Sequence, residues 1–292
     1  MAERPAETRT RKKQQQRYRR LTYLTVLALL LAGCGVWFAA RAGWSPLFPP
    51  DSGSSPGDVS LPEDGPGGSG SSSQAEDPGR PAWFVPESEA VDASWYDDAV
   101  FLGDSRLDGF RLYAGPSGAT YFTEAGAKAL SIADKNTERL PDGSKVPILK
   151  ALEGRTFSKV YLNLGMNNLG DYDIQKEFVD AYAADIDRIR AIQPDCDIYL
   201  MTLFPVTAEQ EAKGSYVNNR AIADLNDCIR YLAAEKGVYL LEVDSVLTDA
   251  DGNLPEESSF DGIHLTPEAC KLWRQYLDTH TVQKSAAESE RS

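Results

Sequence analysis

The sequence predicts an α/β fold, a three-layer α/β/α sandwich on a mainly parallel five-stranded sheet. Two observations predict it. Between about Trp83 and His280, short apolar runs alternate with stretches whose apolar residues recur at helical spacing, the order expected of parallel strands joined by outer-layer helices. The residues able to do chemistry fall just after the apolar runs or just before a helix, at the edge where open parallel sheets hold their ligands. The domain so defined spans residues 83–281.

Five strands are expected, at Asp98–Leu102, Ala119–Thr123, Lys159–Leu164, Asp197–Leu203 and Val238–Val243. Between them, Gln175–Ile192 and Asn218–Glu235 read as helices, the second carrying Ile222, Leu225, Ile229 and Leu232 on one stripe, which marks the face turned to the core. A last helix opens at Thr266-Pro267-Glu268 and runs through Leu272, Trp273 and Leu277. The threonine hydroxyl can cap the first turn, and proline at the first helical position loses no hydrogen bond. No internal repeat is visible.

The N-terminal region is of another kind. Residues 1–20 hold eight Lys and Arg, including Arg4, Lys12, Lys13 and Arg20, against Glu3 and Glu7. Removing this basic head from a chain of formal charge −14 leaves about −20 on the remainder, so phosphate would be repelled and nucleic acid is not an expected partner. Leu21–Ala40 is free of charge for twenty residues, the length needed to span a bilayer's hydrocarbon core. By the positive-inside rule the head stays cytoplasmic, and everything after this signal anchor is exported. Leu31-Ala32-Gly33-Cys34 also resembles a lipobox, which would make Cys34 a lipidated N-terminus. The apolar run continues past Cys34 through Ala40, which favours the spanning anchor. Residues 45–81 are dominated by Gly, Ser, Pro and Asp and read as a disordered linker. Residues 282–292 read as a frayed tail.

Cys196, Cys228 and Cys270 remain for the exported part. A disulfide between two of them and buried free thiols are both open readings. There is no Cys-x-x-Cys and no close metal-ligand spacing, so no metal or other cofactor is expected.

Gly103-Asp104-Ser105 directly follows the first apolar run, and Asp261-Gly262-Ile263-His264 precedes the last helix. A hydroxyl on a sharp turn beyond a strand is placed as a nucleophile. A carboxylate three residues before an imidazole can hold and orient it as a base. The chain has two histidines, and the other, His280, lies by the C-terminal tail. Asp104 reads as a turn or cap residue. Asn167 follows the third strand, at the same sheet edge as Ser105.

From about residue 98 to 279 the chain resembles the SGNH, or GDSL-like, hydrolase family, whose fold is a flavodoxin-like sandwich. Gly103-Asp104-Ser105 matches its nucleophile block and Asp261-Gly262-Ile263-His264 its Asp-x-x-His block. Gly165-Met166-Asn167-Asn168 resembles its Gly-x-Asn-Asp block with Asn168 in place of Asp, and Arg106 stands where the family has Leu. Gly126, preferred over Gly118, corresponds to its glycine block. The resemblance implies a triad of Ser105, His264 and Asp261, with an oxyanion hole made by the Ser105 and Gly126 backbone N–H groups and the Asn167 amide. The one Gly-x-Ser-x-Gly, Gly53–Gly57, lies in the linker and none occurs within residues 83–281, which counts against the α/β-hydrolase nucleophile elbow.

The expected function is that of a membrane-tethered, extracytoplasmic serine esterase. It would remove small acyl groups, acetyl in particular, from a glycan, another envelope component or a small molecule. Two alternatives stay open: an O-acetyltransferase using the same acyl-enzyme, and a non-catalytic carbohydrate-binding module on this fold.

Overall fold

A computed structural model of the chain describes residues 81–129, 131–140, 142–170 and 174–283. The basic head, the 21–40 segment, the linker up to residue 80 and the tail from residue 284 lie outside the described residues. Among the described residues no helix is long and apolar enough to cross a membrane.

The main sheet has five strands: β1 (Ala99–Gly103), β2 (Thr120–Thr123), β5 (Lys159–Asn163), β6 (Asp197–Met201) and β7 (Tyr239–Leu241). A short antiparallel hairpin, β3 (Glu138–Arg139) and β4 (Lys145–Val146), sits between β2 and β5 in the chain. The main sheet is parallel throughout, in the order β2-β1-β5-β6-β7. Counting its own strands only, this is the flavodoxin-like order 2-1-3-4-5, whose switch point lies between the first and third strands. Here those are β1 and β5, with Gly103 paired to Asn163 at their carboxyl ends.

β1 runs one residue past its expected end and β2 ends where expected, whereas β5, β6 and β7 end sooner than the sequence suggests. Beyond β6, the N–H of Leu203 donates to Asn226 Oδ1 and that of Val206 to Asn219 Oδ1, so helix side chains replace the ladder and the backbone turns away. Beyond β7, Asp244 N donates to Thr202 Oγ1 and a short 3₁₀ helix, Val243–Val246, begins.

Among the described residues there are six α-helices: α1 (Ser105–Tyr113), α2 (Ile148–Ala151), α3 (Ile174–Ile192), α4 (Ala208–Ala212), α5 (Asn219–Lys236) and α6 (Pro267–Thr279). α3 and α5 cover one face of the sheet. Phe178, Tyr182, Ile186 and Ile189 of the first, with Ile222, Leu225, Ile229 and Leu232 of the second, join Val100, Leu102, Val160, Leu162 and Leu200 in one buried core. α1 and α6 cover the other face, packing Leu107, Phe110, Cys270, Trp273 and Leu277 on Phe101, Tyr161, Tyr199 and Met201. Strand residues alternate between the two cores because successive side chains point to opposite faces.

On the α1/α6 face a row of rings crosses all five strands, Tyr121, Phe101, Tyr161, Tyr199 and Tyr239. Neighbouring centroids are 5.1, 4.6, 4.6 and 5.1 Å apart. Parallel register puts these residues directly opposite one another, and each such pair adds ~0.5–1.5 kcal/mol beyond its buried area. Leu240 N donates to Trp83 O, and Phe84 bridges Leu240, so the segment entering the domain covers the β7 edge. Val282, expected to begin a frayed tail, packs against the second core instead. Cys196, Cys228 and Cys270 are free thiols.

Candidate active site

The Gly103-Asp104-Ser105 turn is built from its own three residues. A Cβ at Gly103 would come within 2.7 Å of Asn163 O and 2.6 Å of Leu107 Cδ2, so only glycine lets β1 end against β5 with α1 folded back so closely. Asp104 caps α1, its Oδ1 accepting from Arg106 N at 2.9 Å. This is the capping role read from the sequence. Ser105 is then the first residue of α1, where the backbone N–H has no intrahelical acceptor and points out with the positive end of the helix dipole.

The second block is a loop that fixes its own geometry. Asp261 Oδ1 accepts from Ile263 N at 2.9 Å and His264 N at 2.8 Å, while Oδ2 lies 2.8 Å from His264 Nδ1. Gly262 has φ of +89°, and a Cβ there would meet Gln210 Cβ at 2.8 Å. Partial burial pushes the Asp261 carboxyl up, but the hydrogen bonds from His264 and Ile263 outweigh it and hold the group at about 2. Asp261 is therefore ionised at neutral pH and accepts from Nδ1–H. That fixes the tautomer and leaves Nε2 as an acceptor. His264 Nε2 lies 3.0 Å from Ser105 Oγ, so the hydroxyl donates to it. The His264 and Asp261 side chains are 44% and 53% exposed.

Asn167 stands beside Ser105 in the 3₁₀ turn after β5. Its Nδ2 donates to Asp104 Oδ2 at 3.1 Å and to Ala127 O at 3.2 Å. The Ala127 carbonyl can only accept, which forces the amide orientation. Both amide hydrogens are engaged, and an oxyanion would be met by sharing or exchanging one of them. Burial raises the Asp104 carboxyl, against the pull of Arg106, His264 and the Asn167 amide. Asn168 is buried, and its Oδ1 accepts from Ala129 N at 3.3 Å. Two consecutive asparagines thus pin the loop that contains Gly126.

A cavity of about 240 Å³ opens over these groups, lined by Ser105, Arg106, Met166, Asn167, Tyr216, Val217, Ile263 and His264. Gly126 is not among its lining residues. It takes φ of +81° in the turn where Ala127 N donates to Glu124 O, one residue from the carbonyl that Asn167 reaches. His280 lies apart, stacked on Tyr276 at the end of α6. The sequence did not single out Tyr216, which is 66% exposed. The one signal for it is an aromatic residue in the polar stretch Lys213-Gly214-Ser215-Tyr216.

The sequence profile of the GDSL-like lipase/acylhydrolase family matches residues 101–272. No curated protein matches the chain. Among solved structures, a Streptococcus pneumonia protein named for platelet activating factor is 22% identical, with a TM-score of 0.50 over 62% of this chain and 82% of that one. A GDSL-like lipase from Bacteroides thetaiotaomicron is 15% identical, with a TM-score of 0.47 over 62% and 86%. The first of these likenesses is one of fold.

Proposed function

The chain belongs to the GDSL-like lipase/acylhydrolase family, and on that footing we propose that it is an esterase whose acyl-transfer triad is Ser105, His264 and Asp261. The observation that carries this is the continuous line from Ser105 Oγ to His264 Nε2 at 3.0 Å and from His264 Nδ1 to Asp261 Oδ2 at 2.8 Å. Ser105 Oγ attacks the ester carbonyl as His264 Nε2 takes its proton, and Asp261 stabilises the imidazolium. Negative charge then develops on the carbonyl oxygen. The Ser105 N–H and the Asn167 amide, both at the cavity, are its donors, each worth ~3 kcal/mol of transition-state stabilisation, and the family resemblance adds the Gly126 N–H, which would have to approach from outside the cavity lining. His264 returns the proton to the leaving alcohol. Water, deprotonated by the same imidazole, releases the acid from Ser105.

A small acyl group, acetyl in particular, agrees with the cavity of about 240 Å³, which lies below the ~300–1,000 Å³ of sites for drug-sized ligands. The exposure of His264 and Asp261 favours hydrolysis over transfer to a sugar, since a transferase must keep water from its acyl-enzyme. The basic head and the uncharged Leu21–Ala40 segment support a membrane-tethered enzyme with its domain outside the cytoplasm, acting on acylated glycans or other envelope components.

Two experiments test this reading. The purified chain should cleave a chromogenic acetyl ester, and Ser105→Ala or His264→Ala should abolish cleavage with the fold intact; turnover retained in either variant removes the triad. Intact mass of detergent-extracted protein addresses the anchor. A chain that keeps its basic head agrees with a spanning segment, whereas one beginning at a lipidated Cys34 replaces the anchor with lipid.

A further inference from the structure

Arg106 immediately follows the nucleophile and is 2% exposed. A guanidinium this deep is costly to desolvate, and a leucine could fill the position by packing alone. Its hydrogen bonds go to backbone carbonyls of two other segments. Nε donates to Ile263 O at 2.9 Å, Nη1 to Phe204 O at 2.7 Å and Nη2 to Pro205 O at 3.2 Å. Ile263 is the neighbour of His264, and Phe204 and Pro205 belong to the loop after β6. One planar group therefore joins the nucleophile turn, the β6 loop and the loop that carries the base.

The Asp261–His264 loop holds itself together through Asp261 Oδ1 and its two backbone donors, so acid and base move as one unit. The separation left to be set is the one between that unit and Ser105 Oγ. The bond from Arg106 Nε to Ile263 O sets it from the residue next to Ser105. The bonds from Nη1 and Nη2 brace the fork against the sheet. A rigid fork with donors at fixed angles can hold two segments at a defined spacing, which a single flexible ammonium cannot.

We propose that Arg106 is a positioning residue, which holds the Asp261–His264 loop against the nucleophile turn so that Nε2 stays within reach of Ser105 Oγ. The inference rests on the triad reading above. It assigns a role to the position where this chain departs from the family's leucine, and it places that role in the chemical step rather than in substrate binding.

The test compares the wild-type chain, R106L, R106K and S105A. The three proteins that keep Ser105 are titrated to endpoint with a fluorophosphonate to count competent serines, and their kcat and KM on a chromogenic acetyl ester are expressed per titrated site, while S105A is assayed per mole of protein. Thermal melting is recorded alongside. For R106L, kcat per site is expected to fall about 10- to 100-fold, the order of loss that about 1 Å of misplacement causes, with KM within about twofold. R106K, which keeps the charge but not the fork, is expected to fall less, and it decides the matter if R106L does not fold. A purely structural role would lower the melting temperature and the titrated fraction while leaving kcat per site unchanged, and that result in the folded variants overturns the inference. Turnover by S105A overturns the triad and this inference with it; an inactive S105A beside unaltered Arg106 variants overturns this inference alone.

Discussion

Replacing Asn167 by alanine should damage the protein in two separable ways. In the structure the amide does one job visibly, donating to Asp104 Oδ2 and to Ala127 O. Removing it deprives two acceptors of a donor, one of them on a carboxylate that is 1% exposed. Leaving such a group unpaired costs ~1–3 kcal/mol, and in a domain of this size each kcal/mol lowers the melting temperature by ~2–4 °C. At about 2 kcal/mol, the middle of that range, a fall of roughly 4–8 °C is expected. The loss should grow with pH. The unfolded state gives up the Asp104 proton near 3.8 while the folded state, with that carboxyl raised by burial, still holds it, so stability falls as pH rises through this window. Without the amide, the folded carboxyl is raised further and the fall becomes steeper. The second effect is catalytic, since one lost oxyanion donor lowers kcat ~10²–10³-fold with little change in KM. Scanning calorimetry at several pH values and steady-state kinetics on an acetyl ester read the two effects separately. Asn167 is only a brace for Asp104 and Ala127 if the melting temperature falls and kcat does not.

Asp261→Asn should lower kcat by about 10⁴-fold, because an amide facing Nδ1 selects the tautomer that cannot accept the serine proton; stopped-flow acylation rates check this. The wild-type Asp261 carboxyl, held at about 2, contributes stability that is present above 3.8 and lost as pH falls towards 2, and Asp261→Asn should lack that acid-side loss in urea titrations. Asp185, 2% exposed and with Oδ2 unpartnered among the described residues, has its carboxyl pushed up to about 8, chiefly by burial. The wild type should therefore lose stability as pH rises from about 4 to 8, and Asp185→Asn should flatten that slope; parallel curves for the two proteins refute the assignment. Tyr161→Ala, which removes a ring stacked 4.6 Å from both Phe101 and Tyr199, should cost ~3–5 kcal/mol. Tyr161→Phe keeps the stack and loses only the bond from Trp95 Nε1, about 1 kcal/mol. Equal losses in the two variants, measured by thermal melting, would show that the ring row adds nothing.

The parts of the fold that were legible in the sequence are those governed by local chemistry. α6 begins at Pro267 with Thr266 as its cap, its Oγ1 accepting from Ala269 N, because a capping hydroxyl and an N-terminal proline act within one turn. α3 and α5 fall within a residue of the expected bounds, since their apolar stripes carry the helical period. Strand ends were less legible. Leu203 is apolar and buried like its neighbours, yet its N–H is taken by Asn226, 23 positions away, and nothing local announces that. α1 does not stand out in the sequence, because its residues, from Ser105 to Tyr113, show little apolar periodicity and its start is set by the Asp104 cap. In the site, the pairing of Asp261 with His264 is local and readable. The engagement of Asn167 with Asp104 and Ala127, the Arg106 fork and the presence of Tyr216 are products of tertiary approach, which spacing alone does not reveal.

Ser105 and His264 touch across 159 positions of sequence, and the helix that follows His264 docks Trp273 on Phe110 of α1, with ring centroids 4.6 Å apart. Synthesis runs from the N-terminus, so the serine exists long before the imidazole that must activate it. On the proposed triad, until the last helix closes over α1, Ser105 is an ordinary hydroxyl at an ordinary turn. The enzyme is thus silent while being made and acquires its reactivity with the final stretch of the domain.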